Sequence, residues 1–426
     1  MNILVIGNGF DLAHGLPTKY TDFLNFVELI KQFIDADGRK FSNSDWNNAH
    51  SEIVELIKKN ALPKAQEWRE LLEENFWIDY FLQCPMYQKE NWIDFESEIC
   101  NVIKSLDEDM FAEDGRKYQF SEEIMVNLSN DFLDAYFEEH SFVGQYDENG
   151  NHCGALSYKA IRDTLYRDLN KLIRALEIYF TEYVGNLECN VISPDIKAIV
   201  DEFLVEGTGR SPVLTNALCF NYTDTYKRIY FNQFVIDRYI DYIHGKADIN
   251  NTIETNNMVL GIDEYLLDER KNKDVEFIAF KKFYQRIYKG TGCKYREWVE
   301  RIEKEYIEYL QKQEEAYFRE HKFETDNVRR MMNQLAASAI RDEKCTIHNV
   351  YIFGHSLDVT DGDILRNLIL HENVHTTIFY HNKDVMGQQI ANLVKVIGQD
   401  ELIKRTGGST KTIEFKLQAG MVERKE

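Results

Sequence analysis

The sequence predicts an α/β fold: an open parallel sheet interrupted by large, mainly helical insertions. Three observations carry that reading. Ile3-Leu-Val-Ile6 is a short apolar run that ends in the glycine turn Gly7-Asn8-Gly9, and a strand covered on both faces has this look. The pattern of apolar run then polar loop returns at 212–220, 240–243 and 348–353. Between these strands lie two long, charged tracts with helical periodicity, 40–205 and 265–345.

Taken in order, the first strand leads through a loop at 7–17 into a helix that Thr18 can cap. That helix carries Phe23, Leu24, Phe26, Val27, Ile30, Phe33 and Ile34 at helical spacing. Within 40–205 the segments 50–60, 66–82, 94–110, 121–139 and 157–187 read as helices, with Trp46, Trp68, Trp77 and Trp92 assigned to the core. Strand 212–220 runs into Asn221-Tyr-Thr-Asp-Thr225 and a helix from about 225, and 240–243 ends in His244-Gly245.

The second charged tract holds Lys281, Lys282, Arg286, Lys289, Lys294 and Arg296 with no acidic residue between them and aromatic residues interleaved. It reads either as a solvated face or as a phosphate- or RNA-facing patch. After strand 348–353 come Gly354-His-Ser-Leu-Asp358, a helix through Ile364 to Ile369, a strand at 374–380 and a helix near 384–397. The expected Rossmann-like core is thus 1–39, 206–264 and 346–405. A polar tail, 406–426, follows, in which 412–417 has edge-strand character.

The chain has 426 residues, enough for two or three domains or one with large insertions. With 72 acidic against 50 basic residues the net charge is -22, which disfavours bulk nucleic-acid binding outside the 281–296 stretch. Seven cysteines are scattered with no C-x-x-C pair, so a reducing, cytoplasmic setting is expected, with neither a disulfide framework nor a zinc ribbon. The first residues lack a basic leader, and no apolar run reaches the length of a membrane span.

Four strands therefore end in polar loops. In a parallel sheet these ends share one edge, where ligands bind. Gly7, Asn8, Gly9, Phe10, Asp11 and His14 from the first loop, Asn221 and Asp224 from the second, His244 from the third, and Gly354, His355, Ser356 and Asp358 from the last become one candidate crevice. The first loop is not the dinucleotide fingerprint, because Leu12 stands where the third glycine belongs. Histidine exchanges protons near neutral pH, asparagine can hold a water, and helix starts after glycine turns can take a diphosphate. This set suits attack at a ribose carbon that bears a good leaving group. A serine-nucleophile elbow is not expected at Ser356, since no glycine stands two residues later. His371-Glu-Asn-Val-His375 matches H-E-x-x-H, but zinc binding needs both histidines on one helix. Here the second half reads as a strand, and no metal site is expected.

These blocks, with Met1 to Phe23, Cys219 to Thr225, Ile243-His-Gly245, Phe353 to Asp358 and Trp92-Ile-Asp-Phe-Glu96, resemble the bacteriophage abortive infection family AbiH. More distantly, they are similar to the NAD-binding domain of sirtuins. That resemblance implies NAD as ligand or substrate, with none held as a tightly bound cofactor, Asn221 orienting water or the nicotinamide ribose, His244 as base, Asp224 in support, and Gly354, His355 and Ser356 toward the adenosine end. The sequence departs from sirtuins at Thr223, where an aspartate is usual, and lacks their cysteine-ligated zinc module, so hydrolysis of NAD fits better than deacylation. The expectation is an antiphage effector that binds a nucleotide, answers a phage-derived trigger, self-associates into homo-oligomers and does not enter membranes. The alternatives are a nuclease whose Asp11, Asp224 and Asp358 hold Mg²⁺, and a nucleotide-gated sensor or scaffold without catalysis.

Overall fold

The computed structural model describes residues 1–39, 44–109, 136, 158–205, 216–230, 239–320, 348–408 and 411–424. Six strands form its main sheet: β1 Asn2–Ile6, β2 Asn216–Cys219, β3 Ile240–Tyr242, β4 His348–Phe353, β5 Val374–Tyr380 and β6 Ile413–Leu417. All neighbours are parallel, in the order β3-β2-β1-β4-β5-β6. The open α/β sheet read from the sequence is present, including the edge strand near the C-terminus. Chain order reverses between β1 and β4, the switch point where an open sheet leaves a crevice beyond its carboxyl ends.

Strand β1 shows why the run is continuously apolar. Ile3 and Val5 join one core with Leu218, Val350 and Ile352, and Leu4 and Ile6 join the other with Ala217, Cys219 and Phe353. Both faces are covered, so no polar alternation survives. Helices Tyr295–Glu320 and Gly362–Ile369 bring Trp298, Ile302, Ile364, Leu365 and Leu368 to the first face. Helices Pro194–Val205 and Thr225–Tyr230 bring Ile196, Ile199 and Tyr226 to the second. Burying each large aliphatic side chain contributes about 1.5–3 kcal/mol.

The chain forms two compact units. One comprises Met1–Leu16, Glu188–His244 and Thr291–Glu426 and holds the sheet; the other comprises Pro17–Leu187 and Gly245–Gly290. The second unit is helical and aromatic at its centre. Phe26 of helix Tyr20–Asp35 lies 4.6 Å from Tyr183 and 5.6 Å from Trp68, and Tyr20 stacks on Phe95 at 4.1 Å. Asn75 caps helix Phe76–Gln83 through the amides of Trp77 and Ile78. Buried Glu177 accepts from Arg174, from the side-chain amides of Asn251 and Asn256, and from the backbone of Asp248.

Several local expectations are corrected. The 7–17 loop contains a short helix, Asn8–Ala13. The next helix is capped at Lys19, whose amide donates to Asp22, and not by Thr18. Trp68 and Trp77 are core residues, but Trp46 is half-buried and Trp92 is 56% exposed. Most of segment 121–139 lies outside the described residues.

The basic stretch is divided: Lys294 and Arg296 are exposed, but its first lysines form no open patch. Lys281 and Lys282 are buried and paired with Glu264 and Glu96, and Lys289 donates to the carbonyl of Met258. Burial lowers Lys289 to about 8. Phe283, Ile287 and Tyr288 are the exposed residues of helix Lys282–Lys289. At H-E-x-x-H the helix ends at Ile369 and β5 starts at Val374, so the two histidines do not share a helix.

Candidate functional site

The loops that carry the predicted residues leave the sheet at its carboxyl edge. Register puts Ile6 opposite both Cys219 and Phe353, and Cys219 opposite Tyr242. The loops after β1, β2, β3 and β4 therefore leave the sheet at one level.

The glycines at this edge serve the meeting of two backbones. Gly9 donates its amide to the Gly354 carbonyl at 2.8 Å, and Gly7 donates to that of Phe353 at 3.2 Å. A Cβ on Gly354, whose φ is +66°, would lie 2.2 Å from the Phe10 amide nitrogen; one on Gly7 would lie 2.6 Å from His355 Cα. No other residue fits so close an approach. The Phe10 amide also returns to the Gly7 carbonyl at 2.9 Å. Three amides at the start of helix Asn8–Ala13 are thus already hydrogen-bonded within the protein, which removes them as donors for the diphosphate that the glycine turn suggested.

Two clusters form beyond the interlocked loops. In the first, buried Asp11 accepts the Thr223 hydroxyl proton at 2.6 Å, and Thr225 Oγ1 donates to Thr223 at 3.0 Å. Asn221, 6% exposed, lies close enough to Asp11 to favour its charged form, although full hydrogen-bond geometry is not reached between them. Burial dominates at Asp11 and raises its carboxyl to about 6, against the opposing pull of Thr223, Thr225, Asn221 and Arg228.

The second cluster joins the loops after β3 and β4 through a residue that sequence reading did not select. His244 Nε2 lies 3.3 Å from Asp361 Oδ1, and His355 Nε2 lies 3.6 Å from Asp361 Oδ2. All three are buried, and the Phe220 ring stands 4.4 Å from the His355 ring and 5.5 Å from that of His244. The Leu357 amide donates to His355 Nδ1 at 2.9 Å. An accepting Nδ1 places the neutral ring's proton on Nε2, facing Asp361.

Making that turn puts buried Leu357 at φ +61°, a conformation that costs a branched residue about 1–2 kcal/mol. Gln389 and Asn392, from helix Lys383–Ile397, hold the loop by donating to the carbonyls of His355 and Ser356. Asp361 precedes helix Gly362–Ile369. In sequence it looks like one more acidic residue at a helix start, and only its position between two histidines distinguishes it.

Other predicted residues have surroundings of their own. His14 is turned into the core, with Nδ1 on the Phe10 carbonyl at 2.7 Å and Nε2 on the Tyr230 hydroxyl at 2.9 Å; burial holds it below the usual histidine range. Phe10 is fully buried. Asn8 and Ser356 are exposed. Asp358 accepts from the Thr360 amide as a local cap, and Asp224 is half-buried, its carbonyl accepting from the Arg228 amide at the start of helix Thr225–Tyr230.

Among the described residues no group of three or more His, Cys, Asp or Glu is placed to hold a metal ion, and no helix is long and apolar enough to cross a membrane. The Trp-x-Asp-x-Glu element has a local account. Asp94 accepts from the Glu96 amide and the Ser97 hydroxyl at the start of helix Phe95–Asp109, and Glu96 pairs with buried Lys282 at 2.7 Å.

Comparison with curated proteins and with solved structures gave no match. A family model described as bacteriophage abortive infection AbiH matches residues 3–381, a span that takes in β1 to β5 and both clusters. The chain belongs to the bacteriophage abortive infection AbiH family.

Proposed function

We propose that this protein is an abortive-infection effector whose sheet unit takes NAD as its substrate and hydrolyses it to nicotinamide and ADP-ribose. The observation that carries the reading is His244 at the carboxyl edge of a switch-point sheet, buried and 3.3 Å from the Asp361 carboxylate. The Asn221 side chain follows β2 on the same edge. Its resemblance to the sirtuin asparagine adds to that reading.

The chemistry asked of these residues is modest. Water attacks ribose C1′, the C1′–N bond breaks, and its electron pair returns to the pyridinium nitrogen. Nicotinamide leaves neutral, so its departure needs no general acid. The water's proton passes to His244, and Asn221 orients the water by donating and accepting at once.

Purified protein incubated with NAD is expected to release nicotinamide and ADP-ribose, and His244→Ala is expected to slow release by about 10²–10⁴-fold. Equal product from His244→Ala would end the reading. Lys281 and Lys282 give no support to a nucleic-acid substrate, because they are spent on Glu264 and Glu96.

A further inference from the structure

We propose that Asp361 is the positioning residue of this site: it holds His244 with its proton on Nε2, so that Nδ1 is the atom that takes the proton from water. This rests on the NAD-hydrolase reading for its chemistry, but the assignment of the proton stands on geometry alone. Asp361 Oδ1 faces His244 Nε2 at 3.3 Å. A carboxylate there accepts from Nε2–H, and an imidazole with its proton on one nitrogen is an acceptor at the other.

The second oxygen of Asp361 lies 3.6 Å from His355 Nε2, too long for a hydrogen bond but close enough for the two groups to attract. His355 presents Nε2–H to Oδ2 because its Nδ1 is occupied by the Leu357 amide. The turn at Leu357 thus turns His355 Nε2 toward Asp361, and the other oxygen of Asp361 faces His244. Phe220, against both rings, and the burial of all three side chains keep water from replacing the carboxylate.

In the reaction, His244 Nδ1 forms a bond to the water's proton as the water oxygen bonds to C1′. The resulting imidazolium lies against Asp361, which stabilises it without itself being protonated. His244 Nδ1 is buried, so its proton passes to a water that enters the site as the products leave, and the neutral ring returns with the proton still on Nε2.

The experiment is ¹⁵N–¹H correlation of the histidine side chains in the full-length protein, with His244 assigned by the signal lost in His244→Gln. Wild type is expected to show the neutral His244 ring protonated at Nε2. Asp361→Asn, whose amide can donate to Nε2, is expected to move that proton to Nδ1 and to lower kcat by at least about a hundredfold with KM little changed. Asp361→Glu is expected to restore the Nε2 proton and part of kcat. A wild-type ring protonated at Nδ1 overturns the proposal without any variant having to fold, as does an Asp361→Asn protein with unchanged tautomer. The expected tautomers without any NAD turnover by wild type would leave Asp361's role in place and remove the NAD reading.

Discussion

At the scale of single residues, Asp11 shows how a buried carboxylate costs stability. Its carboxyl titrates near 6 when folded, against an ordinary value of 3.8. Between those values the folded protein binds more protons than the unfolded chain, so this group makes stability fall as pH rises from about 4 to about 6. Two units correspond to about 3 kcal/mol, absent below pH 4 and fully expressed above pH 6. Asp11→Asn keeps an acceptor for Thr223 without the buried charge. We expect it to unfold in urea at higher denaturant than wild type at pH 7.5, by about 1–3 kcal/mol, with the difference gone at pH 4. An equal midpoint at pH 7.5 would show that Arg228 and the threonines already compensate the charge.

His14 offers a contrast at the same scale. It lies in the same loop and looked equally available in sequence, yet both its nitrogens are used inside the protein. A polar residue after a strand reads identically whether it points to the crevice or to the core, and the choice belongs to the path of the short helix Asn8–Ala13.

Among elements, the interlock of the β1 and β4 loops separates two kinds of glycine. Gly354 sits at φ +66° with Phe10 N 2.2 Å from a notional Cβ, whereas Gly15 sits at φ +80° with nothing within 4 Å. Gly354→Ala must separate two backbones and is expected to destabilise by about 3 kcal/mol or more, while Gly15→Ala costs only the left-handed strain of about 1–2 kcal/mol. Thermal melts of the two variants should differ accordingly; equal melts would mean that the loops separate cheaply.

Helix Lys282–Lys289 makes the second case. Lys282 is buried against Glu96 in the helical unit. Removing one partner of a buried pair leaves the other charge uncompensated, so Lys282→Ala is expected to cost about 3–5 kcal/mol. A surface nucleic-acid contact would instead show no change in the melt. Sequence showed the basic run and its aromatic neighbours plainly. It did not show that Glu96 and Glu264, distant along the chain, would claim the lysines.

For the whole molecule, the net charge of -22 acts on the compact state through self-repulsion. Raising salt from about 20 to 200 mM shortens the screening length from roughly 20 Å to below 10 Å. The melting temperature is therefore expected to rise by a few degrees over that range, since about 1 kcal/mol moves a large domain by ~2–4 °C. A fall would mean that ion pairs such as Arg405 with Glu401 and Glu372 outweigh the repulsion.

What the sequence determined by itself depends on neighbours along the chain. Apolar runs covered on two faces made the strands legible almost to the residue, as at Asn2–Ile6 and His348–Phe353. The end of the helix at Ile369 and the strand from Val374 removed the apparent zinc motif. The shared strand edge already brought together the loops that carry Asn221 and His244. Tertiary structure decided what depends on partners distant in sequence. It spent the glycines on each other, turned His14 inward, buried Lys281 and Lys282, and set Asp361 between His244 and His355. The physical reason is that periodicity and turn chemistry are local, whereas a buried charge chooses its partner only after the chain has brought the candidates together.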